Sequence, residues 1–168
     1  KGRVICTMLA RSRGDCVELG TSAELGERVS TRRPMYAIGR KVEVTSGLPV
    51  GAATDCSGSD DDQIRLLRGR GMTLEAANAE LDPGFVDQWK ISDIQSGIVW
   101  LTAQNSEKHL PQGLGLQERD GLSFTKGCYP GQEIVARVHY LGRAKQMLKA
   151  FRLAGSLDEP VDDLLDEE

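Results

Sequence analysis

Lys126-Gly127-Cys128-Tyr129-Pro130-Gly131-Gln132-Glu133 is the stretch on which the reading of this 168-residue chain turns. It sets one thiol between two glycines, close to a lysine, just ahead of a run (Gln132 to Arg137) that reads as a helix. Proline is favoured at the first helical position and acidic side chains in the first turn. Pro130 and Glu133 meet those preferences, which puts Cys128 or Tyr129 near the N-cap. There the positive end of the helix dipole and the Lys126 ammonium both favour a thiolate. Cys128, with Lys126 beside it, is therefore the candidate reactive group. Gly127 and Gly131 are expected to let the backbone turn sharply and leave the sulfur open.

The rest of the chain bounds what that thiol can belong to. With 39% apolar and 27% charged side chains, the chain can bury the core of one ordinary domain, or of one domain plus a fragment of a second. The formal charge of −4 hides a division: residues 156 to 168 hold seven acidic groups and no basic one, which leaves 21 − 18 = +3 on the first 155 residues. Basic clusters stand at Arg11/Arg13, Arg32/Arg33, Arg40/Lys41, Arg65/Arg68/Arg70 and Arg143/Lys145. They suit a polyanion, either a polyglutamylated cofactor or RNA, and they also suit the solvated faces of loops and strands. Contact with nucleic acid is expected to be indirect.

No apolar run approaches the roughly 18 residues of a membrane span. Cys6, Cys16, Cys56 and Cys128 show neither a CxxC pair nor metal-ligand spacing, so no metal is expected to be bound by this chain alone. A Cys6–Cys16 disulfide is open if their strands pair, although a cytosolic, reducing setting argues against it. His109 and His139 have no cysteine or carboxylate at ligand spacing and read as surface or packing residues.

Val4 to Ala10 is β-rich, Arg11 to Asp15 polar and Cys16 to Leu19 β-rich again, the pattern of a hairpin with a five-residue loop. Thr21 or Ser22 can cap a short helix over residues 23 to 29. Lys41 to Thr45 alternates like a half-buried strand, Ser46 to Asp62 reads as loop or strand edge, and Gln63 to Leu67 reads as a strand. Thr73 to Leu81 has a helical composition with Thr73 as its cap. A stronger helix signal follows, with Asp82 as cap, Pro83 at the first position, Phe85, Val86, Trp89 and Ile94 between, and Gly97 as the stop. Ile98 to Leu101 reads as a short apolar strand, and Ala144 to Leu153 as strand again. Strands and helices alternating in this way make an α+β chain.

Several of these pieces, in this order, resemble the YgfZ family of folate-binding proteins, relatives of the T-protein (aminomethyltransferase) of the glycine cleavage system. Lys1-Gly2-Arg3 is similar to the family's Lys-Gly-Arg/Lys at the start of a strand. Tyr36-Ala37-Ile38 with Lys41-Val42-Glu43-Val44 resembles the helix end and strand that follow it. Ile94-Gln95-Ser96-Gly97-Ile98 fits the family's Ile-x-x-Gly-Ile, and Leu110-Pro111-Gln112 its Pro-Gln stretch. The seventeen residues from Gly121 to Arg137, with the central cysteine, resemble the family signature and are the most specific part of the match.

The resemblance implies an α+β, T-protein-like folate-binding fold of mixed antiparallel sheets and packed helices over residues 1–143, its N-terminal part absent. It further implies the start of a C-terminal β-barrel domain over 144–155, with an acidic tail over 156–168, and both ends are expected to be cut. Tetrahydrofolate is the implied cofactor, with Gln95, Trp100, Tyr129, Gln132 and Arg137 as candidate contacts. A pterin needs a flat apolar slot and a polar group at its amino-pyrimidine edge, and a glutamyl tail needs cations. T-proteins place an acidic residue of the Ile-x-x-Gly segment at that edge, where this chain has Gln95, an amide that cannot form a charge-assisted pair. Gln95 also reads as a solvent-facing helix residue, Trp100 as a core anchor and Tyr129 as a packing ring. Glu133 reads as a first-turn residue facing Arg137 one turn on.

Cys128 keeps three readings: a nucleophile or redox thiol, a soft ligand to an iron–sulfur cluster shared with another protein, or a structural cysteine at a tight turn. Lys126 either favours the thiolate or is an ordinary surface lysine. One cysteine cannot hold a cluster that takes four ligands, so the second reading requires a partner to supply the others. That agrees with the role the family implies, an accessory factor in assembly or repair of iron–sulfur enzymes, including radical enzymes that modify tRNA. Its partner would be an iron–sulfur carrier or client protein, in the cytoplasm or, in a eukaryote, the mitochondrial matrix, and away from any membrane. The alternative is a tetrahydrofolate-dependent, aminomethyltransferase-like one-carbon transferase.

Overall fold

The computed structural model describes residues 2–36, 41–45, 51–53, 63–66, 70–73, 82–142 and 144–152. Near the N-terminus the two β-rich runs fold into an antiparallel hairpin, β1 (Leu9–Arg13) and β2 (Cys16–Gly20), with Arg11 opposite Glu18 and Arg13 opposite Cys16. The connection is two residues, Gly14-Asp15, rather than five. Gly14 takes φ +56°, the positive value that a tight hairpin turn requires at its first position. The arginines expected in the loop extend β1 instead, because Arg11 bonds the carboxylate across the strand (Nε to Glu18 Oε2, 2.7 Å) and Arg13 reaches its other oxygen at 3.5 Å. Cys16 carries a free thiol, so the Cys6–Cys16 cross-link is not formed.

Helix α1 (Ala23–Tyr36) is longer than the segment expected over residues 23 to 29. Both candidate capping hydroxyls point elsewhere: Thr21 donates to the Thr7 carbonyl (2.9 Å) and Ser22 to the Leu101 carbonyl (2.6 Å). The helix start is closed by backbone, Leu25 N–H to Ser22 C=O at 3.0 Å. A second antiparallel sheet has the order β3 (Gly51–Ala53), β5 (Gly71–Thr73), β4 (Gln63–Arg65). Strand β4 agrees with the run read at 63 to 67. Thr73 ends β5, paired with both Gly51 and Gln63; the helix expected after it lies outside the described residues. Lys41 to Thr45 has no ladder partner among the described residues, and Val42 is exposed, so the expected half-buried strand is not formed there.

Helix α2 (Pro83–Ser96) follows its signals closely. Asp82 Oδ2 accepts from Phe85 N–H (2.9 Å), and Pro83 takes the first position. At the other end Gly97, φ +64°, donates to Ile94 O (3.0 Å) while Ile98 donates to Asp93 O (2.9 Å), the paired bonds of a Schellman stop. The Arg119 guanidinium covers that end, donating to Ser96 O (3.2 Å) and Gly115 O (3.0 Å). Its inward face carries a charge: buried Asp93 accepts from Arg70 Nη1 (2.7 Å) and from Trp100 Nε1 (3.0 Å), and Arg70 in turn lies over the Trp89 ring at 4.7 Å. One carboxylate thus joins the approach to β5, helix α2 and the segment after it.

Ile98 to Leu101 is extended but is not a strand. Its polar backbone is met by Thr7, whose hydroxyl donates to Val99 O and accepts from Leu101 N–H (3.4 Å). Residues 4 to 8, with a bend at Ile5, likewise run without a ladder, held by Val4 N–H to His109 O (2.9 Å) and Glu107 N–H to Val4 O (2.8 Å). The core beneath is Leu25, Leu101 and Leu114, with Val4, Cys6, Val99 and Leu116 packed against it. Residues 144 to 152 form no strand; Leu148 N–H bonds Gly113 O (2.7 Å) on the 3₁₀ turn Gln112–Leu114. The described fold is mixed α/β, with three α-helices (the third, α3, is Gln132–Leu141) and two small antiparallel sheets. Among the described residues no helix is long and apolar enough to cross a membrane.

Two predictions come from these ties. Asp93→Ala leaves the buried Arg70 cation without its counter-ion and is expected to lower the unfolding free energy by about 3–5 kcal/mol. Asp87→Ala, which loses only an exposed pair with Lys90, is expected to stay within about 0.5 kcal/mol, with urea denaturation comparing the two. The Arg11 hydrogen bond, with its charge and that of Arg13, holds the Glu18 carboxyl below the usual carboxylate range against the opposing effect of desolvation. The hairpin's share of stability is therefore present above the unfolded-state pKa and is lost as pH falls through the folded one. Glu18→Gln should remove that part of the acid sensitivity, read as a flatter plot of thermal midpoint against pH in the acid range.

Candidate functional site

Helix α3 begins at Gln132, two residues later than Pro130 suggested. Gly131 is the N-cap, at φ +87°, and Cys128 stands three residues ahead of the cap rather than on it. The delay has a local cause. Tyr129 N–H donates to Gln132 Oε1 (3.0 Å) and Gln132 N–H to Tyr129 O (3.2 Å), closing a turn over Pro130-Gly131 before the helix starts. Glu133 lies in the first turn as expected, but no ion pair joins it to Arg137.

The left-handed glycine is required for a second reason. A Cβ on Gly131 would fall 2.7 Å from Gly2 N, and one on Gly2 (φ +77°) would fall 2.8 Å from Ile134 Cβ. Gly2 therefore lies directly on the start of α3. Gly127, by contrast, is not in the left-handed region, and a Cβ there would meet nothing within 4 Å. The sharp turn expected of both glycines belongs to Gly131 alone, while Gly127 leaves open space beside Cys128.

Cys128 is exposed and carries a free thiol. It borders an open depression of about 530 Å³ lined by residues 128 to 134, so that Cys128, Tyr129 and Gln132 come together there with Glu133 and Ile134. A neighbouring depression of about 440 Å³ lies along α3 and contains Arg137, Tyr140 and Leu141, sharing Glu133 and Ile134 with the first. The Lys126 ammonium sits over the Tyr129 ring at 4.8 Å, and Lys126 N–H bonds Ser123 Oγ at 3.1 Å. Gln95 and Trp100 line neither depression: Gln95 is exposed on α2, and Trp100 is half-buried with its indole N–H on Asp93. His139 packs as expected, stacked on Phe124 at 3.9 Å with Nδ1 3.2 Å from Gln117 Oε1. His109 serves through its backbone carbonyl. Among the described residues no group of three or more His, Cys, Asp or Glu is placed to hold a metal ion.

Residues the sequence reading passed over are Ile134 and Gly2, which the helix start brings into the site, and Asp93. Asp93 had a signal, for it shares an inward helical face with Val86 and Trp89, where a carboxylate needs a buried partner. Gly131→Ala is expected to cost at least about 1–2 kcal/mol and to loosen the N-terminal segment, since it adds a left-handed penalty to a backbone collision. Gly127→Ala should be close to neutral. Denaturation of both, with amide exchange over residues 2 to 7, checks the difference.

Comparison with known proteins now bears on the chain. No protein-family model matches it, and no solved structure matches it. It is similar to the tRNA-modifying protein YgfZ of Yersinia pseudotuberculosis, 46% identical over 132 residues, which is 77% of this chain and 36% of that protein. The YgfZ proteins of Colwellia psychrerythraea (45% over 82 residues, 48% of the chain and 25% of the relative) and Edwardsiella ictaluri (48% over 71 residues, 42% and 21%) match shorter stretches. The chain thus spans between about a fifth and a little over a third of the length of these curated relatives. At 45–48% identity, over as much as 77% of its length, it belongs to the YgfZ family.

Proposed function

We propose that this chain is part of an accessory protein that supports iron–sulfur enzymes, among them enzymes that modify tRNA, and that Cys128 is the residue presented to a cluster-bearing partner. The observation that carries this is the openness of the thiol. Cys128 is exposed, free of a disulfide, flanked by open space at Gly127, and set at the rim of a depression. A lone soft ligand in such a place can complete a cluster whose other ligands a carrier or client protein supplies. The name of the relatives, tRNA-modifying protein, supports the tRNA side of the reading. Lys126 contributes by position: its charge lies on the Tyr129 ring within the same loop, available to the thiol's surroundings or to a partner.

In the longer protein we place these residues in a T-protein-like folate-binding fold spanning 1–143, with a C-terminal β-barrel beginning at 144–155 and the acidic tail at 156–168, and we place the protein in the cytoplasm or, in a eukaryote, the mitochondrial matrix. For tetrahydrofolate itself the five candidates do not fit as one set. Tyr129 and Gln132 line the depression beside Cys128, Arg137 lines the adjoining one, Gln95 and Trp100 line neither, and the Trp100 N–H already has Asp93 as its acceptor. Folate binding is accordingly proposed for the longer protein, and the role of the thiol does not depend on it.

The test is Cys128→Ala in the full-length gene, in cells that lack the protein. The exposed position predicts unchanged expression and thermal midpoint, together with loss of restored iron–sulfur-dependent tRNA modification. Full restoration by the alanine variant overturns the assignment of Cys128.

A further inference from the structure

The loop that carries the thiol is tied down on both sides of Cys128 by the chain's own groups. On the C-terminal side Tyr129 N–H donates to Gln132 Oε1 (3.0 Å), while Gln132 N–H donates to Tyr129 O (3.2 Å). Both bonds join the same two residues, three apart. This is the reciprocity of a capping box, in which a Gln or Glu side chain reaches back three residues to a backbone N–H. Here the Tyr129 carbonyl takes the part that a Ser or Thr hydroxyl plays in the usual box. On the N-terminal side Lys126 N–H donates to Ser123 Oγ (3.1 Å), and the Lys126 ammonium lies over the Tyr129 ring at 4.8 Å. Gly127 and Cys128 are the two residues between these anchors.

Gln132 can hold the loop because it is itself held. It is the first residue of α3, and the next turn is closed by Ile134 N–H and Val135 N–H on Gly131 O (3.2 and 3.4 Å). Buried Gln112 grips the helix one step further on, donating from Nε2 to Val135 O (2.8 Å), and the Val135 side chain is buried as well. Gly2 lies against Gly131 at the same point. The path from the buried 3₁₀ turn to the thiol therefore runs through Gln112, Val135, Gln132 and Tyr129. None of these contacts depends on how much of the loop is left uncovered in the longer protein.

We propose that Gln132 is a positioning residue for Cys128: its amide oxygen fixes the Tyr129 peptide, and with it the direction in which the neighbouring sulfur is presented. The assignment rests on the reading of Cys128 as the residue presented to a partner. It also moves Gln132 from the candidate folate contacts to the frame of the loop, since its carbonyl oxygen is met by Tyr129 N–H. A positioning role asks for an acceptor oxygen at that reach and nothing more. Glutamate supplies one, as it does in a capping box, and leucine supplies none. A contact made through the amide N–H₂ group would instead be lost in both.

The experiment compares Gln132→Leu, Gln132→Glu and Asp82→Ala. In the purified chain, amide exchange at Tyr129 is expected to quicken about 5-fold in Gln132→Leu, the scale of one net hydrogen bond. In Gln132→Glu it is expected to stay within about 2-fold of the parent at neutral pH. Each change is also made in the full-length gene, in cells that lack the protein. There Gln132→Glu is expected to restore tRNA modification as the parent does, and Gln132→Leu at least ~5-fold less. Asp82→Ala removes a capping bond of similar size at the start of α2 and is expected to restore fully, which separates the position of the loop from a general loss of stability. Unchanged Tyr129 exchange in Gln132→Leu, loss of restoration in Gln132→Glu, or a loss in Asp82→Ala equal to that in Gln132→Leu overturns the proposal. Cys128→Ala is run alongside. Full restoration by that variant overturns the reading of the thiol, and the Tyr129 exchange then still decides whether Gln132 holds the loop.

Discussion

The backbone of residues 2 to 7 has no sheet to lie in, and the way its polar groups are satisfied organises the molecule. Val4 exchanges bonds with the chain at Glu107 and His109, the Ile5 carbonyl accepts from Ser106 Oγ (2.6 Å), and the Thr7 carbonyl accepts from Thr21. The Thr7 hydroxyl serves two more peptide groups at Val99 and Leu101. Each such group, left unpaired on burial, would cost about 1–3 kcal/mol, so the partners have to be in place together. Val4 and Cys6 meanwhile pack on Leu25, Leu101 and Leu114. A single irregular segment thus fixes where α1, the run from 98 to 109 and the start of α3 stand relative to one another.

What could be read from the sequence divides along the range of the forces involved. Helix α2 was legible to the residue because its determinants are local: the Asp82 carboxylate, the Pro83 ring and the Gly97 left-handed stop lie within the helix or one residue outside it. The hairpin was legible in kind but not in register, since its short turn depends on Gly14 and on a cross-strand pairing of Arg11 with Glu18 that no local pattern displays. Residues 4 to 8 and 98 to 101 looked like strands but join no ladder, and side-chain hydroxyls bond their carbonyls instead. At the site, the motif around Cys128 could be read directly. The distinction between Gly127 and Gly131 could not, because it depends on Gly2, which arrives from the far end of the fold.

The arrangement also separates two kinds of arginine and lysine that composition treats alike. Arg70 is structural, enclosed between a carboxylate and an indole face, and Arg119 covers the carbonyl end of α2. Lys145, Lys149 and Arg152, which follow α3, are in no ion pair among the described residues. A mildly basic body with an acidic end is therefore an incomplete description of this chain, in which Arg70 and Arg119 hold elements of the fold together while Lys41, Lys90 and Lys108 stand exposed.

The contact between Gly2 and Gly131 has a consequence for how such a protein can change. Each glycine is barred from carrying a side chain by its own left-handed conformation, and each is also barred by the other's neighbourhood. Relaxing one position does not free the other, so the mutational routes out of either are closed at the first step. The two sites form a linked pair in heredity as they do in space. A deletion or fusion that displaced the segment around Gly2 would reach the cysteine loop as surely as a substitution within it.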